Sequence, residues 1–146
     1  MKANTESLLG QQDIVVRQFE DVEFVELVDD LSREIKQRNY RVTRINNIDN
    51  IHDRKLLNAG TDVNFLHYKI IEFCNLNSCA ALISEEQLSG VFMPVRFSVY
   101  QSKNSRHIKA AFLKPTAFAR LFTNAPLQNI AKELEQDMIA VLDELG

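Results

Sequence analysis

Two cysteines, Cys74 and Cys79, flank a polar step, Asn75-Leu76-Asn77-Ser78. Cys79 falls near the expected first turn of a helix, where aligned N–H groups stabilise a thiolate. Such a thiol is suited to attack a persulfide, a peroxide or another thiol. The competing reading is structural, because free cysteine is among the most buried residue types and Ala80 and Ala81 follow at once. The spacing is not Cys-x-x-Cys, which argues against a thioredoxin-type pair or half a zinc ribbon. A disulfide needs Cα atoms within about 7 Å, which a strand-to-helix junction permits. In a reducing cytosol both residues are expected to be thiols at rest.

The other reactive side chains are scattered. His52, His67 and His107 lack the spacing that would put two on one face, so no metal and no cofactor is expected. Glu85 with Glu86, and Asp29 with Asp30, are adjacent pairs that point to different helix sides and form no acid/base dyad. No phosphate loop, nucleophile elbow or dinucleotide fingerprint occurs, and Gly10, Gly60, Gly90 and Gly146 stand singly. Arg96 and Arg120 are the cations nearest the cysteine segment. An arginine beside Asn75 and Tyr100 would hold a carboxylate or phosphate, although a surface arginine with its stem on a sheet is the simpler reading of either residue. The candidate ligand-binding set is therefore Cys74, Asn75, Cys79, Pro94, Arg96 and Tyr100, with no catalytic residue assigned.

These residues need elements to hold them. Asp13 to Phe19 reads as a strand, with Asp21 able to cap the helix that follows. Phe24, Leu27, Val28, Leu31 and Ile35 then share one helical face, and Asn39 suits the left-handed stop after it. Tyr40 to Ile48 is a second strand, and Ile51 to Ala59 a short helix ended by Gly60. Phe65 to Cys74 is apolar enough to lie inside a sheet. Asn75 to Gln87 turns helical with Asn77 or Ser78 as cap, and Val95 to Gln101 alternates like a half-buried strand. Arg106 to Leu113 returns as its hairpin partner, and Pro115 to Phe122 is a short helix. Pro126 opens a last helix whose stripe, Leu127, Ile130, Ala131, Leu134, Met138, Val141, Leu142 and Leu145, is a core face or a dimer seam. The order predicts a two-layer α+β domain with an antiparallel sheet covered on one face by helices.

With 146 residues and only four glycines and three prolines, the chain fits one domain over 13–146 behind a flexible 1–12, with no linker. A net charge of −3 argues against nucleic acid or an anionic membrane as partner, since either needs a basic footprint. No signal peptide or apolar span is evident, so a soluble cytoplasmic protein is expected.

Tyr68 to Pro115 resembles the bacterial family known as Domain of Unknown Function 302. Its counterparts here are Phe73-Cys74-Asn75-Leu76, then Cys79 to Leu82, then Met93-Pro94-Val95 leading to Val99-Tyr100-Gln101, with Lys114-Pro115-Thr116 as a downstream proline step. The family pattern has proline where Leu76 stands and a second cysteine where Val95 stands. The resemblance implies a TATA-binding-protein-like arrangement of helix, strands and closing helix, association as homodimers, and no established activity. The leading expectation is a small non-enzymatic binding module that holds a small molecule or partner near the Cys74 and Pro94 junctions. The alternatives are thiol-based sulfur or redox chemistry at Cys74 or Cys79, and a structural or regulatory homodimer subunit.

Overall fold

A computed structural model of the chain describes residues 2–6, 12–50 and 63–145. The elements are β1 (Lys2–Glu6), β2 (Ile14–Glu20), α1 (Phe24–Gln37), β3 (Arg41–Asn47), β4 (Phe65–Cys74), α2 (Leu76–Glu85), a 3₁₀ segment (Gln87–Phe92), β5 (Val95–Ser102), β6 (Ile108–Leu113), α3 (Pro115–Ala119) and α4 (Ala125–Leu145). The short helix expected over Ile51 to Ala59 lies outside the described residues. The N-terminal stretch expected to be flexible contributes β1, paired antiparallel with β2.

The strands form one sheet in the order β1-β2-β6-β5-β4-β3, antiparallel at every pairing. Strands β2 and β3 therefore run parallel but are separated by β6, β5 and β4, and α1 crosses between them as a split β-α-β unit. Alternation along β5 puts Val95, Phe97 and Val99 on the helix-covered face and Arg96 out toward solvent. Phe97 is the aromatic hub of that face, stacked on Phe73 at 5.0 Å and edge-on to Phe112 at 5.5 Å. The fold is α+β, as the order of elements implies.

Helices α1 and α4 cover this face with the apolar stripes read from the sequence. Phe24, Leu27, Val28, Leu31 and Ile35 are buried on α1, and Leu127, Ala131, Leu134, Met138, Val141, Leu142 and Leu145 on α4. The α4 stripe is thus a core face within the chain. Polar contacts fix its register: Arg17 pairs with Asp143, Tyr40 Oη donates to Asp137 Oδ2 at 2.7 Å, and Thr116 Oγ1 donates to Glu135 Oε1 at 2.6 Å.

Three local details differ from the sequence reading. Asp21 takes a positive φ of 58° in the turn before α1, and the N-cap is Glu23, whose side chain makes no capping bond. The expected helix from Asn75 to Gln87 breaks at Glu86, which has extended angles and caps the following 3₁₀ segment through Leu88 N–H. The cap of α2 is Asn75, one position ahead of the helix, and neither Asn77 nor Ser78 fills that role. Asn39 does adopt the left-handed conformation, with φ 66°.

Candidate functional site

The cysteine segment is built at the edge of the sheet where β4 ends. Cys74 is the last residue of β4 and pairs in register with Arg41 on β3. Asn75 then turns the chain out of the sheet. Its Oδ1 accepts from the N–H groups of Asn77 (3.0 Å) and Ser78 (3.2 Å), and its Nδ2 donates to the Asn39 carbonyl at 3.2 Å. One amide therefore caps α2 and ties the helix to the turn after α1. Cys79 N–H donates to the Asn75 carbonyl at 2.9 Å and closes the first helical turn.

That geometry brings the two cysteines together. Their Cα atoms are 6.8 Å apart and their sulfurs are joined as a disulfide. The sequence reading left this pairing open and expected thiols. A third sulfur adjoins the pair: Met93 Sδ lies 3.9 Å from Cys79 Sγ. Cys74, Cys79 and Met93 are all partly exposed. Met93 precedes Pro94 through a cis peptide bond, and its N–H donates to the Gly90 carbonyl at 3.1 Å. Sequence reasoning treated Met93 only as backbone at a junction. Its softness as a ligand was the available signal.

The rest of the candidate set does not converge on the sulfurs. Cys74 and Asn75 line an open concavity of about 630 Å³ with Asn39, Tyr40, Arg41, Leu76 and Asn77. Pro94 and Arg96 line a different recess, about 220 Å³, with Val91, Phe92, Val95, Leu113 and Phe118. Tyr100 sits on the uncovered face of the sheet, stacked on Tyr68 at 5.2 Å. The Arg96 guanidinium is half-exposed, 3.8 Å from Glu72 and at the limit of reach of the Pro94 carbonyl, 3.5 Å away. Arg120 belongs to neither recess and pairs with Asp13 at 2.7 Å.

The histidines have separate partners. His67 stacks on Phe24 at 4.6 Å, and His107 lies 3.3 Å from Glu20, whereas His52 is outside the described residues. Among the described residues no three His, Cys, Asp or Glu side chains converge as a metal site. Among them, too, no helix is long and apolar enough to cross a membrane. Tyr40, beside the cysteine concavity, has its hydroxyl pushed well above the ordinary tyrosine value by burial, then by its hydrogen bond to Asp137 and the charge of that carboxylate.

No curated protein matches the chain. Its fold is similar to the crystal structure of an uncharacterised conserved DUF302 protein from Bacillus stearothermophilus, with a TM-score of 0.80 and 24% identity over 92% of this chain and 99% of that one. The model of the family described as Domain of unknown function DUF302 matches residues 15–145. With nearly all of the sheet and its covering helices inside that match, the chain belongs to the DUF302 family.

Proposed function

We propose that the chain is a dithiol–disulfide module that exchanges electrons with thiol partners through Cys74 and Cys79. The observation that carries this reading is the pairing of its two cysteines across the β4–α2 junction, beside an open concavity. Cys74 lines that concavity, so it is the sulfur an incoming thiolate attacks. A bond forms between the partner's sulfur and Cys74 Sγ, and Cys79 leaves as a thiolate. A second thiolate of the partner then attacks the mixed disulfide, departs as the oxidised partner, and leaves two reduced cysteines that take up two protons. Cys79 is the better leaving group because it sits in the first turn of α2, where the helix N-terminus stabilises negative charge.

The test is to equilibrate the protein with glutathione redox buffers and count thiols at each poise by alkylation and mass. A reversible two-electron transition, lost in Cys74→Ser, is expected. Oxidised protein should also resist unfolding by about 2 kcal/mol more than reduced protein, the chain-entropy value for so short a loop. Two thiols that stay unreactive in every buffer until the protein unfolds would mean core cysteines and refute the reading.

A second reading keeps a non-enzymatic binding role at the Pro94 junction. It is supported by the apolar recess beneath Val91, Phe92 and Phe118, with the half-exposed Arg96 guanidinium at its rim. That arrangement suits a short apolar carboxylate, anchored at its charged end by Arg96. Titration with hexanoate, followed by the chemical shifts of Phe92 and Phe118, tests it. Shifts that persist unchanged in Arg96→Leu would count against the anchor.

A further inference from the structure

We propose that Cys74, Cys79 and Met93, once the cysteines are reduced, form a three-sulfur site for a soft monovalent cation of the Cu(I) class. The inference needs the two cysteines to be reducible, and it does not depend on their exchanging electrons with a partner thiol.

Three sulfurs gather where β4, α2 and the end of the 3₁₀ segment meet. Two are supplied by the cysteines and the third by the Met93 thioether, 3.9 Å from Cys79 Sγ. An ion bound in a trigonal plane by metal–sulfur bonds of about 2.3 Å holds its sulfurs about 4 Å apart. The Cys79–Met93 separation already has that length. Cys74 is the ligand that must withdraw, and the 6.8 Å between the cysteine Cα atoms lies at the long end of the range for a disulfide, so the thiolates can part around an ion without backbone movement.

The ligand set selects the metal. Thiolate and thioether donors favour Cu(I), whereas a structural zinc site wants four cysteine or histidine donors in a tetrahedron. Among the described residues, no such group of His, Cys, Asp and Glu is present. Binding releases two thiol protons and transfers no electrons. The product carries one net negative charge, which the N-terminus of α2 offsets in part. Cys74, Cys79 and Met93 are partly exposed, so an ion can approach them, and a 3.1 Å hydrogen bond from the Met93 N–H to the Gly90 carbonyl holds the backbone that carries the thioether.

The experiment uses the full chain, reduced and kept anaerobic, with Cu(I) presented as its coloured bicinchoninate complex. Thiols are counted first, which establishes the dithiol independently of any exchange with glutathione. The expected result is withdrawal of one Cu(I) per chain with bleaching of the complex, abolished in Cys79→Ser. Met93→Leu, a volume-conserving change, should keep both thiols and the unfolding midpoint but bind at least about tenfold more weakly. No bleaching by protein that titrates two thiols would overturn the site, and so would wild-type affinity in Met93→Leu. A protein that fails to exchange with glutathione yet takes Cu(I) would sink the redox reading and leave this one standing.

Discussion

Removing the Asn75 side chain tests whether one amide holds the cysteine helix to the sheet. Its Oδ1 satisfies two of the exposed N–H groups at the start of α2, and its Nδ2 reaches across to the Asn39 carbonyl. Loss of an N-cap costs about 1 kcal/mol, and the exposed bond to Asn39 adds about 0.5–1 kcal/mol. Asn75→Ala should therefore lose about 1.5–2 kcal/mol, which at a urea m-value of about 2 kcal/mol/M lowers the midpoint by roughly 0.8 M. The measurement belongs on reduced protein, where no cross-link contributes. Asn75→Asp is the control, because it keeps the capping oxygen, gains a favourable charge at the helix N-terminus and loses only the donor. It should fall within about 0.5 kcal/mol of wild type. A fraying first turn also carries Cys79 away from Cys74, so Asn75→Ala should make the disulfide easier to reduce by up to about 30 mV. Asn75→Ala within about 0.3 kcal/mol of wild type, or Asn75→Asp as damaged as Asn75→Ala, would refute the capping argument.

Two further outcomes follow from buried side chains. The folded state holds Tyr40 protonated well beyond the ordinary tyrosine pKa, so the stabilising contribution of this group is fully present below about pH 10 and is lost as the pH climbs above it. Tyr40→Phe should cost about 1–2 kcal/mol at neutral pH and flatten the alkaline limb of a melting-temperature profile, whereas curves that stay parallel would show that ionisation of the buried Tyr40 does not set the limb. Leu134 is 5% exposed in the α4 stripe, so Leu134→Glu buries a carboxylate and should cost at least about 3 kcal/mol. A dimer seam would give a different result, a halved native mass with unchanged unfolding of the monomer.

The elements that could be read from the sequence are those whose signal is local. Helix α1 shows itself through five apolar residues on one face, and β4 through a run rich in apolar residues that ends at Cys74, which is where the strand stops. Asn39 announces its turn because few other residues take a positive φ cheaply. What could not be read depends on partners far along the chain. The β5–β6 hairpin could be read from the sequence, but nothing local in β6 names β2 as its other neighbour, a pairing made across most of the chain. Asn75 competes for the cap with Asn77 and Ser78, and the Asn39 carbonyl, which is distant in sequence, holds its amide in the capping position. The ligand set failed to converge for a simpler reason. Arg96 and Tyr100 share a face of β5, but four strand residues span about 13 Å, too far for one small ligand to bridge directly. Met93 was missed because its residue type marks a soft ligand but gives no sign of which side chains its thioether will meet.

The position at which the family resemblance carries a second cysteine is Val95, which is 7% exposed and pairs in register with Phe73. The sulfur pair of this chain is therefore drawn from β4 and α2, not from two neighbouring strands. Strands in the middle of a sheet are held on both edges, whereas α2 has a single fully buried side chain, Leu82, and its polar ties include the Asn75 cap, Ser89 Oγ donating to the Leu82 carbonyl at 3.3 Å and Asn124 Nδ2 donating to the Glu85 carbonyl at 3.3 Å. A cross-link between β4 and α2 thus joins a firmly held element to a lightly held one. Its formation mainly stabilises the docking of α2, and reduction weakens that docking locally without loosening the sheet.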